Sequence, residues 1–232
     1  NMAHQCNNLT LIRLILALLV LLGHFELLAG IPSPAFPFNY ADFAVDAFFV
    51  ISGYLIAMSW ANQPNLKGFY IRRFFRIYPL YAVMIVVQSI LMIWLLGRFG
   101  VLDVEAILHY MLPNLFFANF LGHNMAGVLD HLPNPGINPS LWTLKIEVGF
   151  YLILPFLWMA TKRYKVVFLL LLFLLSNLYI FIMAGMDQWT LYKQLPGQMR
   201  FFVVGMALSF FQPMISKALA QLKTRMGSCY HW

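Results

Sequence analysis

Ionisable side chains occur at spaced positions inside otherwise apolar runs of this sequence, and each must be accounted for chemically. Arg13 and His24 share the first run, eleven residues apart. At about 100° per residue, that spacing brings both to nearly the same helical face, about 16 Å apart along the axis. An imidazole with an ordinary pKa of about 6.5 can take a proton from a hydroxyl at neutral pH. The plainer alternative is an arginine whose head reaches the interface and a histidine bonded to a neighbouring helix. Glu26 points to another face, at the boundary of the run.

Asp46 lies within Val45-Asp46-Ala47-Phe48-Phe49-Val50-Ile51-Ser52-Gly53-Tyr54, with Asp42 one turn earlier on the same face. A buried carboxylate needs a partner, and a histidine or arginine on another helix is the natural one. A structural ion pair accounts for it equally well. Gly53 beside Ser52 reads as a position for close helix packing. Further on comes Arg72-Arg73-Phe74-Phe75-Arg76-Ile77-Tyr78-Pro79. If this stretch is helical, Arg72, Arg73 and Arg76 share a face suited to two phosphate groups; lipid headgroups and topology would also call for such charge. The last group is Ser140-Leu141-Trp142-Thr143-Leu144-Lys145-Ile146-Glu147. Glu147 falls about two turns into an apolar helix, while Lys145 points roughly 200° away and reads as a boundary lysine. Glu147 could orient an imidazole, bind a hydroxyl or pair with a cation on another helix. A charge near the bilayer centre costs about 2.5 kcal/mol or more, so such residues usually face a protein interior and mark function.

The elements that carry these residues follow from composition. Of 232 residues, 62% are apolar and 10% charged, against about 25% charged in an average soluble domain. A bilayer can accommodate that much apolar surface, since a helix facing lipid may be apolar all round. The expectation is an all-α polytopic transmembrane bundle, one domain over 1–232. Span-length apolar runs cover Leu9 to Leu28, Phe43 to Trp60, Ile77 to Leu96, Leu141 to Ala160 and Val166 to Ala184, with a sixth from Phe201 through Ile215. The net charge of +7 resides mostly in short connections: Lys67 to Arg76, Lys162 to Lys165, and Lys217 to Arg225. That distribution is a topology signal and argues against nucleic acid. It places both termini in the cytoplasm, with an uncleaved first span; Arg98, Lys193 and Arg200 fall in the opposite loops. Ile107 to Leu121 is short and interrupted by Pro113 and Asn114, with His109 inside it and His123 just beyond. It reads as a re-entrant or interfacial element, because a crossing there would reverse the side of every later basic loop. Leu132 to Pro139 is a loop, and Cys6 and Cys229 form no disulfide or metal framework.

In order and spacing these groups resemble the acyltransferase 3 family, bacterial integral-membrane proteins that move acyl groups, often acetyl, onto cell-envelope sugars. Arg13 and His24 are similar to the family's arginine-ten-residues-histidine signature, and Asp46 to Tyr54 to its second-helix segment. Arg73-Phe74-Phe75-Arg76 looks like its R-x-x-R motif, and Ser140 to Glu147 like its serine-leucine-tryptophan-to-glutamate motif. The resemblance implies a cytoplasmic acyl-CoA donor, acetyl-CoA above all, with its phosphates on Arg73 and Arg76, Arg72 alongside and Arg13 near the same entrance. It implies His24 as general base, Glu147 or Asp46 fixing its tautomer, and Ser52, Tyr54 and Trp142 orienting the acceptor. That acceptor would be an envelope saccharide or lipid-linked sugar. No bound cofactor and no metal are implied, membrane lipid is a partner, an oligomer is allowed for, and the location is the bacterial inner membrane. The H-x-x-x-x-D box of glycerolipid acyltransferases is absent, and Lys145 stands where the family more often has a small polar residue. Two other readings stay open: a transporter or flippase subunit with His24, Asp46 and Glu147 as a proton relay, and an inactive short form. The family commonly has more spans than six, so the C-terminal part of its bundle is expected to be missing.

Overall fold

The structure, a computed structural model, describes residues 2–29, 40–98, 104–118 and 141–228. Its helices are α1 (Met2–Ala29), α2 (Tyr40–Asn62), α3 (Leu66–Arg98), α4 (Val104–Leu115), α5 (Leu141–Gly185), α6 (Trp189–Tyr192) and α7 (Leu195–Ser228), and no strand occurs among the described residues. α2, α3, α5 and α7 are long and apolar enough to cross a membrane, and α1 contains a shorter apolar stretch, Asn8–His24. Leu80, Val167 and Phe181 are 70%, 72% and 78% exposed; side chains of that size turned outward suit lipid rather than water. The chain is therefore a helical membrane protein. The 45-residue α5 is broken at Lys165 (φ 50, ψ −129), at the end of the basic stretch expected to join the fourth and fifth spans. Ser140, His123 and the loop from Leu132 to Pro139 lie outside the described residues.

The chain divides into two compact units. The first comprises Asn1–Leu27, Pro32–Pro64 and Ile153–Trp232. Its centre is the contact of α2 with α7, where Phe49 packs on Phe202 with ring centroids 4.9 Å apart. A Cβ at Gly53 would come within 2.5 Å of the Phe202 carbonyl oxygen, and one at Gly205 would overlap the Val50 carbonyl and the Tyr54 amide. Glycine at both positions lets the two backbones touch, the use expected of Gly53. On both helices the Phe49–Phe202 contact and the facing pair Asp46 and Arg200 lie N-terminal to this crossing, so α2 and α7 run parallel. Gly23 packs on Ala41 and Tyr40, setting the later part of α1 against the start of α2. At the opening of α7, the buried Ser176 hydroxyl donates to the Pro196 carbonyl (2.6 Å) and accepts from the Arg200 amide (3.0 Å). It bridges two groups that an undisturbed helix would join directly.

The second unit comprises Leu28–Ile31 and Asn65–Leu152. Here α4 lies antiparallel on α3: Ile107 and Tyr110 pack with Met92, the Tyr110 hydroxyl donates to Gln88 (3.1 Å), and the Tyr81 hydroxyl donates to the Asn114 carbonyl (2.6 Å). Twelve residues make about 18 Å of helix, too short for a hydrocarbon core of about 30 Å. That length fits an element that does not cross. The α2–α7 crossing leads to a testable outcome. Gly205→Ala should destabilise the protein by about 1–3 kcal/mol through overpacking, seen as a lower Tm in detergent. Gly185→Ala, where nothing lies within 4 Å, should leave the Tm unchanged or slightly higher.

Candidate functional site

The arginine motif opens α3. Asn65 precedes the helix and its side-chain oxygen accepts from the Gly68 amide (2.9 Å), as an N-cap residue does. The arginines then follow on regular helix, with Arg72 and Arg76 exposed and Arg73 half-buried. The Arg73 guanidinium sits over the rings of Phe69 and Tyr151, 5.6 Å from each centroid. Its buried Nε finds no hydrogen-bond partner among the described residues. Tyr151 is 4% exposed, and its hydroxyl donates to Oε1 of Glu147 (2.5 Å), one turn earlier on α5. Arg73 and Glu147 interact electrostatically across this tyrosine. Of the three roles open to Glu147, its surroundings include a bound hydroxyl, that of Tyr151, and a cation on another helix, Arg73. The Tyr70 hydroxyl, donating to the Leu152 carbonyl (2.9 Å), ties the same stretches of α3 and α5. Tyr151 escaped sequence reading; the one signal was its position four residues after Glu147, on the same helical face.

A cavity of about 190 Å³ opens beside this cluster. Arg73, Ile77 and Tyr78 line it from α3, Val148 and Tyr151 from α5, and Phe117 from the turn after α4. Among the described residues, Arg73 is the one formal charge in its lining. A guanidinium at an apolar hollow suits a molecule that is anionic at one end and apolar next to it.

The other site residues belong to the first unit. His24 is half-buried, and its Nδ1 lies 2.8 Å from the Val20 carbonyl oxygen. A carbonyl only accepts, so Nδ1 is the donor in this contact. This contact is to backbone on the same helix. His24 follows Gly23 at its contact with Ala41, and Asp42 and Asp46 follow Ala41 on α2. Asp46 is half-buried and faces the charge of Arg200. Arg200 is held by Asn177 (3.4 Å) and the Tyr192 hydroxyl (3.5 Å) and lies 4.5 Å from the Phe201 ring centroid. Sequence reading assigned it to a loop. It stands inside α7, which begins at Leu195. Arg13 is half-buried on α1, Ser52 is buried and Tyr54 half-buried on α2; in the second unit Trp142 is half-buried at the start of α5. Each unit thus gathers its own residues: Arg72, Arg73, Arg76, Trp142 and Glu147 in the second, Arg13, His24, Asp46, Ser52 and Tyr54 in the first. Among the described residues no group of three or more His, Cys, Asp or Glu could hold a metal ion.

The profile of the acyltransferase 3 family, an acyltransferase domain, matches residues 7–230, and the chain belongs to that family. It is similar to an O-acetyl transferase of Shigella phage Sf6, 34% identical over 153 residues, 65% of this chain and 45% of the phage protein. It is also similar to nodulation protein 10 of Rhizobium leguminosarum bv. viciae, 27% identical over 68% of this chain and 46% of that protein. A third relative is the peptidoglycan O-acetyltransferase OatA of Listeria monocytogenes, 36% identical over 48% of this chain and 18% of that protein. The chain thus spans less than half the length of each of these relatives. No solved structure matches it.

Tyr151→Phe should remove the hydroxyl that serves Glu147 and lower stability by about 1.5–3 kcal/mol, the range for a hydrogen bond to a charged group. In a Glu147→Gln background the same change should have a clearly smaller effect on Tm, and additive losses would show that the two side chains act separately.

Proposed function

We propose that this protein is a membrane-bound O-acyltransferase. It takes an acyl group, acetyl in the first place, from cytoplasmic acyl-CoA and passes it to a hydroxyl of an envelope saccharide or lipid-linked sugar at the bacterial inner membrane. The observation that carries this reading is the site at the start of α3. Arginines at helical spacing stand there on a helix start, and the half-buried Arg73 keeps an unused Nε donor beside an apolar cavity. Acyl-CoA joins phosphates to a largely uncharged arm, and charge-assisted bonds from Arg73 and Arg76 suit the phosphates. The names of the phage and Listeria relatives support O-acetylation as the reaction class.

Acyl transfer to an alcohol forms a C–O bond to the thioester carbonyl carbon and breaks its C–S bond. The attacking hydroxyl loses a proton and the departing thiolate gains one. His24 with Nδ1 protonated has the free Nε2 lone pair that the first proton needs. Arg13 would act near the donor entrance, Glu147 and Asp46 as counter-charges to arginines, and Ser52, Tyr54 and Trp142 on the acceptor side. Both termini are cytoplasmic in this reading. Support comes from the parallel run of α2 and α7, which requires an odd number of crossings between them. α3 and the two parts of α5 on either side of Lys165 make three, with α4 not crossing. The basic connections then share one side.

The test is transfer of labelled acetyl from acetyl-CoA to envelope saccharide by membranes containing the protein. His24→Gln should lower the rate about 100- to 10,000-fold with far less effect on donor binding; retention of most of the rate would remove His24 as the base. Replacing Arg73 and Arg76 together by Gln should weaken acyl-CoA binding by about 1.5–3 kcal/mol per lost contact. Added salt should weaken wild-type binding in the same direction. Unchanged donor affinity in the folded double variant would return these arginines to a purely topological role.

A further inference from the structure

Phe117 adopts a backbone conformation that its own side chain disfavours. Its φ is 58, in the left-handed region where a bulky residue is an outlier. The turn closes α4 through backbone bonds from the Phe117 amide to the Asn114 carbonyl (3.0 Å) and from the Ala118 amide to the Pro113 carbonyl (2.9 Å). At this position, just past the end of a helix, glycine is the residue that suits the geometry. The reason for an aromatic side chain must therefore lie in what the ring touches. It stacks on Tyr81, with centroids 4.3 Å apart and planes 15° apart, and approaches Tyr78 at 6.3 Å. It also forms a wall of the cavity that Arg73 enters. Strain retained at one residue of a binding cavity is what a functional constraint looks like.

Scale narrows the ligand. From Arg73 to Tyr78 along α3 is about 7.5 Å, so the cavity lies within a few bonds of any phosphate held at Arg73. An apolar cavity of about 150 Å³ takes a molecule the size of benzene; one of about 190 Å³ takes a compact branched group and not a whole CoA arm. In the pantetheine arm of CoA, the carbon next to the phosphate-bearing methylene carries two methyl groups. We propose that the cavity binds this dimethyl segment, with the adjoining phosphate on Arg73, and that Phe117 is a specificity residue for pantetheine-bearing donors. The inference rests on the acyl-CoA reading above and assigns that donor a subsite.

The test is competition for acyl-CoA binding to the purified full chain by 4′-phosphopantetheine and by adenosine 3′,5′-bisphosphate, the two halves of CoA. Phe117→Gly relieves the turn but loses the stacking on Tyr81, so its Tm should shift only modestly. It should weaken binding of 4′-phosphopantetheine roughly tenfold, the loss expected for about two buried methyl groups, and leave the adenosine half unaffected. Val148→Phe, which fills the cavity and leaves the turn alone, should give the same selective loss and keeps the test valid if the glycine variant misfolds. Wild-type affinity for 4′-phosphopantetheine in either folded variant overturns the inference while the donor reading stands. Absence of any CoA binding by the wild-type chain overturns both. If removing bound lipid changes access to the cavity and 4′-phosphopantetheine does not compete, the occupant is a phospholipid tail and the proposal fails.

Discussion

A charge inside an apolar helix has to be matched from another helix, and the positions of those matches determine which helices pack and in what register. The cost of the charge, about 2.5 kcal/mol or more near the bilayer centre, is of the same order as one charge-assisted hydrogen bond, about 1.5–3 kcal/mol. One good partner is therefore enough to make the charge tolerable, and losing it would not be. In the second unit the chain Arg73, Tyr151 and Glu147 supplies the match across α3 and α5. In the first, Arg200 on α7 answers Asp46 on α2.

These pairings need close backbones, and small residues provide them. Asp46 comes under the charge of Arg200 where Gly53 and Gly205 let α2 and α7 approach to main-chain contact a few residues further along. The start of α7 is held by Ser176 through bonds to both Pro196 and Arg200, so the helix that carries the arginine is anchored at the arginine itself. Where glycine would serve the backbone best, at position 117, the chain has phenylalanine instead. The glycines are thus used for packing and the strained phenylalanine for a cavity wall.

The spans could be read from the sequence because a bilayer imposes a length on apolar runs, and every expected span falls within a helix. The i,i+3 and i,i+4 arginine spacing, the packing role of Gly53 and the shortness of the segment around Pro113 were legible for similar local reasons. Partners across space were not. Tyr151 looks like one more aromatic in a membrane helix until its hydroxyl is seen on Glu147. Arg200 looked like a loop charge because the apolar run was counted from Phe201, whereas Pro196 can open a helix and Asn177 and Tyr192 can hold the guanidinium inside it. Phe117 carries no sequence signal for its left-handed turn, since residue type argues against that conformation.

The histidine shows how local and long-range constraints divide the work. Had His24 depended on Glu147 or Asp46 for its tautomer, one carboxylate would have had to serve an imidazole and an arginine at once. Each proton or cation matched to a carboxylate weakens its pull on the next, so the imidazole would have been oriented poorly. The Val20 carbonyl, one turn away on the same helix, does this job without a charge. A neutral acceptor at Nδ1 selects the Nδ1–H tautomer and leaves Nε2 as the nitrogen turned away from that contact. Glu147 and Asp46 are then left to balance Arg73 and Arg200, one in each unit. Removing either carboxylate is in physical terms first a change in how an arginine is held.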